Sequence, residues 1–167
     1  MAKIYLGLGS NVKPQKYLRQ GISELGRRFG VLELSNVYRS KALGFEGADF
    51  LNLVVGMDSE LTPQEMHQAI EEMHVQADRQ RGESQFSPRT LDIDLLLYDN
   101  LVLDEAGVRV PRADILKYSF VLRPLAEIAP ALRHPQTGKL ITEHWADFDK
   151  NSHPLAVADL GSAAIQE

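Results

Sequence analysis

A length of 167 residues fits one hydrophobic core, and with 44% apolar and 25% charged residues it excludes both a multidomain machine and a disordered chain. The formal charge of −5 argues against a surface built to hold a long polyanion, so nucleic acid is not an expected partner and any phosphate binding must be local. The absence of cysteine rules out disulfides, thiolate metal sites and Cys nucleophiles. No stretch approaches the ~20 apolar residues of a membrane span, and the N-terminus carries no leader-like cleavage pattern. A cytoplasmic protein with no membrane partner is therefore expected.

Ile4 to Gly9 is short, apolar and followed by Ser10-Asn11, as a buried strand ending in a tight turn would be. After Pro14, Leu18, Ile22, Leu25 and Phe29 recur at steps of four and three, which predicts an amphipathic helix closed by Gly30 in the left-handed region. Leu32 to Ser40 and Phe50 to Val55 read as two further strands around a loop containing Gly44 and Gly47. Thr62-Pro63-Gln64-Glu65 has the hydroxyl, proline and carboxylate of a capping box, ahead of a helix whose inward stripe is Met66, Ile70, Met73 and Ala77. The polar run from Gln80 to Ser87 is expected to be a mobile surface loop, and Leu91 to Tyr98 a fourth strand.

The order β-α-β-β-α-β predicts an α+β fold of the ferredoxin-like plait type, two helices on one face of a mainly antiparallel sheet. Residues 101–146 are expected to add a hairpin strand and helices near Phe120 to Ile128 and Leu140 to Ala146. One domain over residues 1–148 is then followed by a loosely packed tail over 149–167.

The chemistry concentrates in Ser87-Pro88-Arg89-Thr90-Leu91-Asp92-Ile93-Asp94. On a strand, Asp92 and Asp94 share one face while Leu91, Ile93 and Leu95 share the other. Two adjacent carboxylates repel unless a positive group sits between them, and a hard cation with oxygen ligands suits that position. Magnesium takes one or two carboxylates and completes its shell with water and phosphates, so the pair suggests a nucleotide as well as a metal. The blander alternative is two acids facing solvent, but Asp is disfavoured in strands and this run is otherwise strongly apolar. Arg89 offers a fixed charge and a bidentate fork suited to phosphate oxygens. Arg79 and Arg81 follow the second helix and can reach the same place, or simply complement the helix C-terminus. Gly7-x-Gly9 lacks the lysine and hydroxyl of a P-loop, so its role is close backbone approach or turning the chain.

The stretch from Ser87 to Asp94 resembles the signature of the 6-hydroxymethyl-7,8-dihydropterin pyrophosphokinase family, the diphosphokinases of folate synthesis. The resemblance runs in register from Ile4 to about Ala146, through Gly9-Ser10-Asn11, Tyr38-Arg39-Ser40, Leu51-Asn52 and Phe120 to Pro130. It implies a ferredoxin-like core and transfer of diphosphate from ATP to the hydroxymethyl of a reduced pterin, releasing AMP. It further implies two magnesium ions on Asp92 and Asp94, with Arg79 and Arg89 steadying the transferring diphosphate.

The resemblance places the pterin between Phe50 and Phe120, with Gly9, Ser40, Lys41, Leu43 and Asn52 around it. It places ATP against Glu71, His74, Arg81, Phe86, Ile93, Arg112 and Tyr118. A monomer is expected. Without the resemblance, Phe50 and Phe120 read as ordinary core aromatics. The chain departs from the family pattern at Phe86 and Ser87, where Trp-Gly is common, and at Phe50, Gly82, Gln85, His74, Arg112, Ala113 and Tyr118. These departures leave room for a paralogue acting on another pterin alcohol, or for a non-catalytic pterin- or nucleotide-binding protein. An RNA-binding plait is disfavoured by the acidic balance.

Overall fold

The computed structural model describes residues 1–44, 46–77 and 90–161. The expected loop from Gln80 to Ser87 and the residues Arg79, Arg81, Phe86 and Arg89 lie outside them. Strand β1 (Ala2–Ser10) is followed by helix α1 (Pro14–Phe29), strands β2 (Glu33–Leu34), β3 (Val37–Ser40) and β4 (Phe50–Ser59), helix α2 (Pro63–Gln76) and strand β5 (Asp92–Tyr98). Then come the hairpin β6 (Leu103–Glu105) and β7 (Val108–Val110), helices α3 (Asp114–Lys117), α4 (Ser119–Ile128) and α5 (Ile141–Asp147), and strand β8 (Ala156–Ala158). The main sheet runs β5-β1-β4-β3-β8 with β2 also on β4, and every pairing in it is antiparallel.

Alternation along the strands divides the apolar residues between two faces. Ile4, Leu6 and Leu8 of β1, Leu51, Leu53, Val55 and Met57 of β4, and Ile93 of β5 pack against Leu18 and Leu25 of α1 and Met66, Ile70 and Met73 of α2. On the opposite face, Tyr5, Val54, Leu96 and Leu97 meet α3, α4 and α5 through Ile115, Leu122, Leu125 and Ile141. The two faces interchange at one point in β5. Tyr5 pairs with Leu97 but Leu6 with Leu95, so Leu96 is a bulge residue, and it joins Leu97 on the α4 face.

Local chemistry explains the element ends. The Thr62 hydroxyl accepts from the Glu65 N–H at 3.1 Å while Glu65 Oε1 accepts from the Thr62 N–H at 3.0 Å, the reciprocal capping box expected from the sequence. Gly30 closes α1 with φ 85° and ψ −129°, a positive-φ conformation other than the left-handed helical one expected, and it still donates to the Gly26 carbonyl. Between β2 and β3 the chain breaks from β4, and Ser35 bridges the gap. Its N–H donates to the Val54 carbonyl, and its hydroxyl accepts from the Val54 N–H.

Within the segment expected to be a loosely packed tail from residue 149, residues 149–152 are exposed, while 156–158 form β8. Ala156, Val157 and Ala158 pair with Arg39, Tyr38 and Val37, and Leu160 is 4% exposed in the α1–α2 core. Three small, mostly exposed residues give no alternating pattern, so edge pairing with β3 makes this strand, not its own hydrophobicity.

Candidate active site

The sheet surface facing α4 is hollow where β1 carries Gly7 and Gly9. Strand register sets Asp92, Gly9, Asn52 and Tyr38 in one row across four strands, and Asp94, Gly7 and Val54 in the next. Because the glycines have no side chain, the two aspartates on β5 and the asparagine on β4 look at one another across an open trough. A β-carbon on Gly9 would stand 2.6 Å from Asn52 Oδ1, so any larger residue here would make Asn52 shift.

The trough forms a pocket of about 820 Å³, counting its open mouth. Its polar end holds Ser40, Lys41 and Asn52, its apolar walls Leu43, Phe50, Tyr118 and Phe120, and its far end Asp92, Asp94 and Arg112. Asn52 is 8% exposed, and its Nδ2 donates to Ser40 Oγ at 3.1 Å, which leaves the amide oxygen facing Gly9. Phe50 and Phe120 are half-buried, and the Tyr118 ring stacks on Phe120 with centroids 4.9 Å apart and planes 14° from parallel.

A second pocket of about 550 Å³ opens between α2 and the β6–β7 hairpin. Glu71 and His74 of α2, Ile93 of β5, and Arg109 and Arg112 line it together with Asp92 and Asp94. The aspartates and Arg112 therefore belong to both pockets and stand at their junction. Arg112 Nη2 lies 3.4 Å from Asp94 and its Nε 3.3 Å from Asp114. Burial beside Asp92 pushes the Asp94 carboxyl up to about 8, with Asp114 adding to the rise and the Arg112 guanidinium opposing it. One arginine thus does not neutralise the cluster, which favours a further positive charge.

His74 is buried, and its Nε2 accepts from the Ile93 N–H at 2.9 Å while Nδ1 faces Glu71 Oε1 at 3.3 Å. The acceptor role requires Nε2 to be unprotonated, so the proton sits on Nδ1. Ile93 lies between the two aspartates on an edge strand, and the imidazole thereby anchors the carboxylate-bearing segment to α2. His74→Leu is expected to cost about 1–3 kcal/mol in urea unfolding, because it strands a buried N–H, and His74→Gln to recover most of it by restoring an acceptor. Equal stability of the Leu variant and the unaltered chain would remove this anchor.

Sequence reasoning reached both pockets but missed several of their residues. Asp114, partner of Arg112, carries no motif beyond its nearness to Arg112. Gly7 was visible only as a weak glycine pair. Tyr118, for which the resemblance implies an ATP contact, lines the first pocket and not the second. Arg79, Arg81, Phe86 and Arg89 fall outside the described residues.

Residues 5–130 match the family model for 7,8-dihydro-6-hydroxymethylpterin-pyrophosphokinase (HPPK). The chain belongs to the HPPK family. A 2-amino-4-hydroxy-6-hydroxymethyldihydropteridine pyrophosphokinase of Aquifex aeolicus is 37% identical over 145 residues, 86% of this chain and 90% of that one. The enzyme of the same description from Synechocystis is 38% identical over 141 residues, 83% of this chain and 72% of that one. Among solved structures, wild-type Plasmodium falciparum HPPK-DHPS shares the fold with a TM-score of 0.69 at 11% identity, over 87% of this chain. This chain spans 44% of that longer one. As an HPPK-family fold, the chain is a mixed α/β structure on an antiparallel sheet, and no helix among the described residues is long and apolar enough to cross a membrane.

Proposed function

We infer that this chain transfers the terminal diphosphate of ATP to the hydroxymethyl oxygen of 6-hydroxymethyl-7,8-dihydropterin, in the cytoplasm and as a step of folate synthesis. Family membership and the names of its relatives support the reaction. The observation that carries its placement is that Asp92 and Asp94 stand where an aromatic-walled pocket meets a second, more polar one. Strand order β5-β1-β4-β3, with α1 and α2 on one face, supports a ferredoxin-like plait. The β8 pairing supports extending the working unit past residue 148. A monomer suffices for this reading, since both pockets are lined by one chain.

The flat bicyclic pterin lies in the first pocket, against Phe50 and Phe120, with its polar edge toward Asn52 and Ser40 and beside Gly9, Lys41 and Leu43. Offset aromatic contacts of this kind add roughly 0.5–1.5 kcal/mol beyond area burial. ATP lies in the second pocket along Glu71, His74 and Ile93, its phosphates directed at Arg112. Asp92 and Asp94 fit as the holders of magnesium, two ions in this proposal, because their charge exceeds what Arg112 offsets. Bound there, magnesium supplies the positive charge that neutralises the phosphate oxygens.

The pterin oxygen attacks the β-phosphorus, the bond from that phosphorus to the α–β bridging oxygen breaks, AMP departs and the hydroxyl proton passes to solvent. The chain's contribution is to align the two pockets so that attack is in line, and Arg112 steadies charge on the moving group. Arg79 and Arg89 are proposed to add to that charge from the segment between α2 and β5, where Arg81 and Phe86 complete the nucleotide contacts. Tyr118 is proposed to act through Phe120.

Incubation with ATP, magnesium and 6-hydroxymethyl-7,8-dihydropterin should release AMP in step with pterin diphosphate. ADP as the only nucleotide product would overturn the proposal.

A further inference from the structure

Residues 149–161 lie beyond residue 130, where the family match ends, and line neither pocket, yet His153 packs against Tyr118 and Phe120, two aromatic residues of the first pocket's wall. The Ser119 hydroxyl donates to the backbone carbonyl of His153, clamping the C-terminal segment to the residue between Tyr118 and Phe120. The His153 ring makes T-shaped contacts with both aromatic rings, with centroids 5.5 Å from Tyr118 at 63° and 6.3 Å from Phe120 at 73°. Ser152 Oγ, 3.3 Å from His153 Nδ1, steadies the imidazole. Beyond it, β8 pairs with β3, the strand that ends at Ser40, and Leu160 seats the segment in the core.

The segment therefore ties the aromatic wall to the polar edge of one pocket. Phe120 is half-buried at a pocket wall, and an aromatic ring so placed loses rotamer freedom when a flat ligand settles on it. A neighbouring ring that already restricts it removes part of that cost. A steeply inclined, T-shaped contact between aromatic rings is also a favoured arrangement in its own right.

We propose that His153 is a positioning residue for recognition of the flat pterin ring: it holds the Tyr118–Phe120 pair in the orientation that forms one wall of the pocket. The ring, not its titration, does this. The inference rests on the reading that the first pocket takes the pterin.

The test is steady-state kinetics of His153→Ala and His153→Phe with each substrate varied, alongside urea unfolding and calorimetry of pterin binding with a nonhydrolysable ATP analogue present. His153→Ala should raise KM for the pterin roughly three- to tenfold and weaken its binding equally, with KM for ATP and kcat within about twofold. His153→Phe should restore pterin affinity, because T-shaped contact does not need the ring nitrogens. If the Ala variant fails to fold, His153→Leu supplies bulk without a ring, and the Leu-to-Phe comparison decides in the same way. Unchanged pterin affinity in the ringless variant would overturn the inference. So would a matched rise of both KM values with lost stability, the mark of a merely structural role. Failure of the unaltered chain to bind or convert the pterin would instead sink the functional reading beneath it, and this inference with it.

Discussion

Replacing Asp94 with Asn is expected to reduce diphosphate transfer by roughly a thousandfold or more while making the metal-free protein more stable at pH 8. The first effect follows from removing a carboxylate proposed to hold the positive charge that would neutralise the phosphates. The second follows from the sign of the Asp94 shift. Its carboxyl is pushed up to about 8 from 3.8, so the fold prefers the protonated form. Keeping it ionised costs stability, and that cost grows as pH rises from about 4 through about 8.

Asn cannot ionise, so its profile should be flatter over that window. Loss of the Arg112 pair at 3.4 Å opposes this gain, but burial and the Asp92 charge outweigh the guanidinium. With 28% of the Asp94 side chain still exposed, solvent screening trims the difference to about 2 kcal/mol, or roughly 4–8 °C in Tm. At pH 4 the two proteins should melt together. Magnesium with a nonhydrolysable ATP analogue should raise Tm of the unaltered protein and leave the Asn variant nearly unmoved. An Asp94→Asn protein that is less stable at pH 8, or that retains near-normal turnover, would contradict the placement of the metal.

Gly9→Ala is expected to lower pterin affinity by roughly ten- to a hundredfold and to destabilise the fold by about 1–3 kcal/mol. The added β-carbon would sit 2.6 Å from Asn52 Oδ1 and 3.9 Å from the Leu51 carbonyl. Strands β1 and β4 cannot part to relieve this, since Gly9 and Asn52 are partners within a nine-pair ladder. Asn52 must swing instead, which breaks its bond to Ser40 and turns its amide into the space proposed for the pterin. ATP-analogue binding, proposed to lie on the far side of the aspartates, should change little.

Gly7→Ala is the internal comparison, because its β-carbon would meet Leu96 at an ordinary 3.5 Å, and it should be far less destabilising. Equal destabilisation by the two substitutions, or unaltered pterin affinity in a folded Gly9→Ala protein, would exclude the close approach as the reason for glycine at this position.

The period of two in Leu91 to Leu95 makes the facing of Asp92 and Asp94 legible from the sequence alone, because only one register buries Leu91, Ile93 and Leu95. The capping box at Thr62 sets the start of α2 for the same local reason. What escapes the sequence depends on partners distant along the chain. The bulge at Leu96 lies in an unbroken leucine run where every register looks alike. Arg112 with Asp94, His74 with the Ile93 N–H, and Gly9 with Asn52 are each separated by 18 or more residues and meet only through sheet order. Strand β8 is illegible because alanines on an edge carry no alternation, and His153 because its effect is exerted through other rings. Both pockets can be named from the family resemblance, but the shared carboxylate junction between them is a property of the fold.

The division of labour across that junction is tested most directly by a crystal structure of the protein with manganese, a nonhydrolysable ATP analogue and 6-hydroxymethyl-7,8-dihydropterin. Manganese anomalous scattering should fall on Asp92 and Asp94, with the nucleotide along Glu71 and His74 and the pterin against Phe50, Asn52 and Phe120. A metal bound away from both aspartates, or the two organic ligands in the opposite pockets, would contradict the account.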